Sequence, residues 1–474
     1  MGLVQKGLYM KFIQCVVILM LLAFVFAGCS INPTTGKKEL MIFSDSQEIN
    51  FGSEADPDIV WQFGGAYDDN QLNAYVNNVG QKVASSSDRT NIPYHFKIVD
   101  SSDINAFALP GGYVYITRGL LVKLENEAQL GAVLGHEIGH VNARHSMKRM
   151  QQTLGFSMIM SILDQAAGGS EKYQEWRGLI KTGSSVAFSA VSLGYGRDNE
   201  LQADALGTKF ANKAGYDLQG MIQLLEILKS LNEREPSSVE EFFMSHPRTS
   251  IRIKEVNTNI TKLTPQQPKG VFSESEYKSK VSDLANIQKA YEHYDKGEEL
   301  RLKGQYSQAL SEYNQALKIK NMVKPHHGIG LVYYAQNDYA QAINEYKTAI
   351  RIDSGYIPPF NDLGLVYMKQ NQYNDAESAF KKAVSSYENF DDAWSNLGEV
   401  FYYKKQYPDA IKALEMATSL NPKHPRAFTT LGLTYEASGD TQKAIDAYEQ
   451  AVQIAPKDSY TDTARQHLSS LKKA

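Results

Sequence analysis

Alanine recurs at Ala309, Ala342, Ala376, Ala410 and Ala444, and glycine keeps the same register at Gly297, Gly330, Gly364, Gly398 and Gly432. Both series step by 33, 34, 34 and 34 residues. Chance does not hold two such ladders together, so the C-terminal part of the chain is an array of about five like units. A unit of this length accommodates two antiparallel helices, with the small residues where backbones approach closely and bulky residues between them. Such units stack side by side into a superhelix with a concave groove rather than closing around one core.

The fourth unit carries the fullest pattern, Trp394, Leu397, Gly398, Phe401, Tyr407, Ala410, Ala417 and Pro422, and the fifth repeats it from Phe428 to Pro456. This pattern resembles the tetratricopeptide repeat. The resemblance implies a right-handed solenoid over 287–458 that binds peptide segments or partner proteins. The first unit is degenerate, with His293 and Lys296 where bulky or apolar residues are usual. A polar helix expected at 459–474 follows the last unit, so both look like ends of the stack. A spacer is the plainer alternative for the array.

The rest of the chain is long enough for a second domain, because 474 residues exceed what one hydrophobic core organises. Composition is that of an ordinary globular protein, 42% hydrophobic and 22% charged. A net charge of −4 lacks the basic excess of nucleic-acid binders, so nucleic acid is set aside as a partner.

The N-terminus departs from that composition. Lys6 and Lys11 precede an apolar run from Phe12 to Phe26 that ends in Phe26-Ala27-Gly28-Cys29, which reads as an export signal over 1–28. Small residues before a cysteine resemble a bacterial lipobox, although Leu is commoner than Phe26 at its place. By that resemblance Cys29 becomes an acylated mature N-terminus; the alternative is an uncleaved anchor, and both tether the chain to a membrane. Ser30 stands where aspartate retains many such lipoproteins at the inner membrane, so the resemblance favours the outer membrane. Cys15 would leave with the signal, so no disulfide is expected. The next most apolar stretch, Leu154 to Leu163, is shorter than the roughly 20 residues of a spanning helix and is expected as core or lid.

Between signal and repeats, the polar stretch Thr261 to Gly270 opens an expected linker over 266–286 and closes a segment, 29–265, that carries chemistry. Ala128 to His145 has helical periodicity and contains His136-Glu137-Ile-Gly-His140. Residues four apart on a helix differ by about 40° in direction, so the two imidazoles project together and can hold one zinc ion. Glu137 then sits beside the metal, placed to take a proton from the attacking water and deliver it to the leaving amine, while the metal polarises the scissile carbonyl. His145 is a poor third ligand, because nine residues beyond His136 on a continuing helix it points away, and it is read as a packed or capping histidine. The better candidate lies in Tyr195 to Gly207, where Glu200 and Asp204 share one helical face. Glu200 completes a site of two histidines and one glutamate. Asp204, one turn on, is placed to accept the free ring N–H of a liganding histidine.

Together the His136-Glu137-x-x-His140 and Glu200-x-x-Ala203-Asp204 motifs and the interval between them resemble the HtpX/BepA-type gluzincins, and with the lipobox and repeats the domain order is similar to BepA-like periplasmic zinc proteases. That family usually has Glu where this chain has Gln202, a position flanking the ligands. The resemblance implies an α+β domain dominated by helices and one Zn2+ per chain. Two further segments fit it. Asn105 to Thr117 alternates around Gly111-Gly112 as a β-hairpin, and the resemblance implies that Asn105, Ala106 and Phe107 form an exposed edge on which substrate adds as a strand. Ser245-His246-Pro247 followed by Arg252 resembles a family segment at the cleft, which places His246 and Arg252 among the catalytic groups, with His246 either stabilising the oxyanion or capping the zinc. The expected function is that of a lipid-anchored metalloendopeptidase of the periplasm whose repeats hold protein clients, with outer-membrane β-barrels and their assembly machinery as partners by resemblance alone. A non-catalytic chaperone or scaffold acting through the repeats is the competing reading.

Overall fold

The computed structural model describes residues 29–31, 38–41, 43–152, 194–234, 246, 249–263 and 270–472. The expected signal (1–28), the apolar stretch 154–163, Ser245 and Pro247 lie outside the described residues. The chain divides into two compact units, Met1–Ala285 and Asn286–Ala474, and the division falls inside one helix, Glu274–Leu302. Among the described residues no helix is long and apolar enough to cross a membrane.

The first unit is α+β and mainly helical. Strands β1 (Cys29–Ile31) and β2 (Lys38–Leu40) pair antiparallel, Cys29 opposite Leu40. Helix α1 (Asp45–Gln62) begins on a reciprocal cap in which Ser44 Oγ accepts from the Gln47 N–H and Gln47 Oε1 accepts from the Ser44 N–H. Helix α2 (Asn70–Ala84) begins on Asp69, whose carboxylate accepts from two backbone N–H groups. The second sheet has the order β3 (His95–Val99), β5 (Tyr113–Thr117), β4 (Ala106–Ala108): β3 runs parallel to β5, and β4 closes the expected hairpin antiparallel to it through Gly111 and Gly112, both at positive φ. Phe107 and Tyr115, on facing strands, pack with Ala55 and Ile59 of α1 and clamp that helix to the sheet.

After the short helix α3 (Arg118–Lys123), helix α4 (Glu127–Asn142) runs through the middle of the unit with every residue buried. Asn126 Oδ1 caps it by accepting from the Gln129 N–H, and the Glu127 carboxylate accepts from the hydroxyls of Tyr75 and Tyr216, each at 2.7 Å. Helix α5 (Arg197–Lys213) packs along it. The two approach backbone to backbone: a Cβ added at Gly207 would lie 2.6 Å from the His136 nitrogen, and one at Gly139 would lie 2.8 Å from the Ala203 carbonyl oxygen. Helices α6 (Gln219–Arg234) and α7 (Thr249–Leu263) complete the layer.

Helix α4 stops earlier than its sequence periodicity suggests. Its last residue is Asn142, Arg144 adopts φ 56° in the left-handed region, and the chain is helical again from 145. A non-glycine residue there is strained and needs outside support. Arg144 has it: Nε lies 3.0 Å from Glu48 Oε2, Nη2 donates to the Phe43 carbonyl at 2.8 Å, and Glu48 is shared with the buried Arg89.

Part of the stretch expected as a linker also belongs to the first unit. Val271 exchanges backbone hydrogen bonds with Gly215 and Asp217, Phe272 accepts from the Ala128 N–H, and Tyr277 is buried with its hydroxyl donating to the Leu121 carbonyl at 2.6 Å. Apolar and aromatic residues scattered among polar ones supply this docking, which a composition-based boundary overlooks.

The second unit consists of helix pairs. The C-terminal part of α8 (Glu274–Leu302) pairs with α9 (Tyr306–Ile319). Then come α10 (Val323–Ala335) with α11 (Tyr339–Ile352), and α12 (Pro358–Lys369) with α13 (Tyr373–Ser386). The last pairs are α14 (Asp391–Tyr403) with α15 (Tyr407–Leu420) and α16 (Pro425–Ser438) with α17 (Thr441–Ile454), and α18 (Asp462–Leu471) packs on the end. Each ladder glycine faces one large side chain from the second helix of its pair, Tyr313, Tyr346, Phe380, Leu414 and Tyr448 in turn, all fully buried. A third ladder marks the turn inside each pair, where Gly304, Asn337, Asn371, Lys405 and Gly439 all take positive φ. Glycine and asparagine suit that conformation; Lys405 does not.

Candidate metal centre

Four buried side chains from α4, α5 and the stretch before α7 converge. His136, His140, Glu200 and His246 each offer one ligand atom, and these atoms lie within 4.8 Å of one another. Nε2 of His140 is 3.0 Å from Nε2 of His136 and 3.3 Å from Glu200 Oε1. Nδ1 of His246 is 3.3 Å from His136 Nε2 and 3.1 Å from Glu200 Oε1. The helical offset brings His136 and His140 together, and the glycine-mediated contact of α4 with α5 brings Glu200 up to them. His246 arrives from a separate segment. Three imidazoles and a carboxylate packed around one point, sealed from water, are a donor set suited to zinc.

Glu137 stands at the rim. Its Oε1 is 3.7 Å from His246 Nε2, while its Oε2 is buried without a hydrogen-bond partner among the described residues. Burial pushes this carboxyl above its ordinary range, against the pull of His246 and His136. For Glu200 burial acts in the same direction, but His246 and Arg252 outweigh it and hold the carboxyl well below its ordinary value.

The groups behind the ligands are equally specific. Asp204 Oδ1 lies 2.8 Å from His136 Nδ1. Arg252 grips the same carboxylate with Nε and Nη2, both at 2.7 Å, and its Nη1 is 3.0 Å from Glu200 Oε2. Burial would raise Asp204, yet the Arg252 guanidinium holds it down at about 2, so it remains an ionised acceptor for the histidine. Arg252, expected among the catalytic groups, thus turns all three guanidinium nitrogens toward these two carboxylates.

The opposite side departs from the sequence-based expectation. His145 does not point away: because α4 ends at Asn142 and the chain reverses at Arg144, the His145 ring returns to the site with Nδ1 2.9 Å from His140 Nδ1. Its Nε2 is 3.0 Å from Oε1 of Gln202, so the flanking position where the chain departs from the family pattern faces into the site. Burial pushes His145 down to about 4. Tyr195 stacks on the His140 ring at 3.8 Å between centroids, and its hydroxyl meets Ser146 Oγ at 2.7 Å. No Gly or Pro punctuates 142–145, so the sequence carries no local signal for this reversal.

The expected substrate edge needs correction in one respect. Asn105, Ala106 and Phe107 do stand at and beside the edge strand β4, but they are buried rather than exposed. Phe107 is stacked on Tyr115 and packed against Phe63, and the Ala106 carbonyl faces His246 Nε2 at 3.3 Å. Cys29 lies in β1, opposite Leu40.

The model of peptidase family M48 matches residues 70–260, which contain the whole cluster, and tetratricopeptide-repeat models match 330–371, 361–417 and 390–457. The beta-barrel assembly-enhancing protease of Escherichia coli (strain K12) is 27% identical over 205 residues, 41% of this chain and 40% of that protein. Metalloprotease YcaL of the same organism is 29% identical over 168 residues, 35% of this chain and 63% of that protein. The chain therefore spans well under two thirds of the length of the first of these relatives. Among solved structures, YrrB, described as a TPR protein with an unusual peptide-binding site, is 24% identical and overlays with a TM-score of 0.32, covering 40% of this chain and 96% of that one. The motifs and the site agree with the family models: residues 70–260 are a domain of peptidase family M48, and tetratricopeptide repeats follow it.

Proposed function

We propose that the chain is a zinc-dependent metalloendopeptidase, lipid-anchored through Cys29 in the bacterial envelope, with repeats that hold the proteins it acts on. The observation that carries the reading is the enclosed cluster of His136, His140, Glu200 and His246 with Glu137 Oε2, unpartnered among the described residues, beside it. His136, His140 and Glu200 would hold the ion, which supplies polarisation of the scissile carbonyl and stabilises the negative charge developing on its oxygen. Glu137 Oε2 accepts a proton from the attacking water and returns it to the departing amine as the C–N bond breaks. Burial suits it to both tasks by raising its affinity for the proton. Asp204 keeps the His136 proton on Nδ1 and so leaves Nε2 free to bind, while Arg252 acts through Asp204 and Glu200 rather than on the substrate.

His246 takes the fourth position of the donor set and faces the Ala106 carbonyl of β4, so it covers both the open coordination position that hydrolysis needs and the backbone on which an extended substrate would pair. The resting enzyme in this reading is latent until His246 leaves. His246→Ala raises basal casein cleavage in the purified protein; unchanged cleavage would remove latency from the account. The name of one relative, beta-barrel assembly-enhancing protease, supports clients of the β-barrel class, and the periplasmic, outer-membrane-anchored location rests on the lipobox-like Phe26-Ala27-Gly28-Cys29 followed by Ser30.

The decisive test compares the purified protein with Glu137→Gln for casein cleavage and metal content. The variant retains about one zinc per chain and loses about 10²- to 10⁴-fold in kcat/KM, the usual contribution of a general acid–base. A protein that binds no zinc would sink the reading and favour a binding module.

A further inference from the structure

We propose that His145 is a positioning residue that fixes the ring of the metal ligand His140, and that Gln202 in turn selects its tautomer. The inference rests on the metal-site reading above and extends it to two residues that bind no metal.

A histidine that gives its Nε2 lone pair to an ion carries its proton on Nδ1, and in a buried site that proton needs an acceptor. For His136 the acceptor is Asp204. For His140 the atom in place is Nδ1 of His145, at 2.9 Å. Two ring nitrogens at that separation share one proton, so His145 Nδ1 must be bare and its own proton must sit on Nε2. That N–H points at Oε1 of Gln202, 3.0 Å away. Donation then runs one way, from His140 to His145 to Gln202, and each contact is a hydrogen bond. Reversing the chain of donors puts a proton on His140 Nε2, where it cannot ligate. The Gln202 amide, presenting oxygen rather than NH2, is therefore what sets the ligating tautomer.

Among the described residues, no other side chain is hydrogen-bonded to His140 Nδ1. His145 is 1% exposed, and one face of His140 is covered by Tyr195. The ring reaches its place because the chain reverses at Arg144, whose left-handed conformation is held by Glu48 and the Phe43 carbonyl.

The test measures Zn2+ affinity of the full chain by competition with a chelating dye, for the parent and for His145→Leu, Gln202→Leu and Gln202→Glu. Loss of the acceptor in His145→Leu and of its director in Gln202→Leu each weakens zinc binding roughly 10- to 100-fold. Gln202→Glu, an acceptor-only side chain of like shape, keeps the parent's affinity. Both Gln202 variants retain the His145 ring, so they decide the matter even if His145→Leu fails to fold. Unchanged affinity in Gln202→Leu, or an equal loss in Gln202→Glu, would overturn the relay while leaving the metal site standing. A parent that binds no zinc would overturn the metal-site reading itself.

Discussion

The two units bury very different material. In the first, side chains at or below 4% exposure include Arg89, Arg118, Glu137, His140, Glu200, Asp204 and Arg252. In the repeats the fully buried positions are mostly apolar, among them the alanine ladder, the valines Val332, Val366 and Val400, and Tyr313, Tyr346, Phe380, Leu414 and Tyr448. Buried polar groups there are chiefly hydroxyls and amides, as in Asn396, which donates to Asn361 and accepts from the half-exposed Arg426. Apolar packing tolerates small adjustments, because burial energy is non-directional. A buried ion cluster does not, since each charge depends on its partners' geometry. The first unit is thus organised around one site, and the repeats around a rule applied five times.

The largest expected effect comes from removing one arginine in each unit. Arg252→Met leaves Asp204 and Glu200 uncompensated and should cost the metal-free first unit about 3–5 kcal/mol, whereas Arg426→Met, at a partly exposed position, should cost at most about 1 kcal/mol. Calorimetry of both variants checks the contrast, and comparable losses would break it. Glycine substitution sharpens it next. Gly207→Ala drives a methyl into the backbone of α4 at His136 and should cost about 1–3 kcal/mol and weaken zinc binding by parting Glu200 from the histidines. Gly398→Ala meets a side chain instead, with Cγ of the buried Leu414 2.5 Å away, and gains helix propensity, so it should cost less than Gly207→Ala, about 1 kcal/mol, and leave zinc binding unchanged. The smallest effect concerns backbone strain. Lys405→Gly relieves a left-handed turn that nothing else in its pair requires a side chain for, and should stabilise the repeats by about 0.5 kcal/mol. Arg144→Gly relieves the same strain in the first unit yet should destabilise it, because the Glu48 contact goes with the side chain. Denaturant midpoints of the two variants moving in the same direction would contradict this account.

What sequence determined by itself is whatever repeats or follows one helical face. The 34-residue step fixed the helix pairs, and the four-residue offsets of His136 with His140 and of Glu200 with Asp204 each placed two groups together. The ladder of large side chains beginning at Tyr313 and the turn ladder ending at Gly439 are equally periodic, but their residue types vary, which hides them from a pattern based on residue identity. Tertiary structure alone decided the rest. The reversal at Arg144 is held by Glu48 of α1 and by the Phe43 carbonyl, both far back along the chain, and it turns His145 toward His140. The burial of β4 depends on Phe63 and on His246, 140 residues beyond Ala106. Periodicity is local and survives in the sequence, whereas a chain reversal held by distant charges leaves no pattern along the chain to be read.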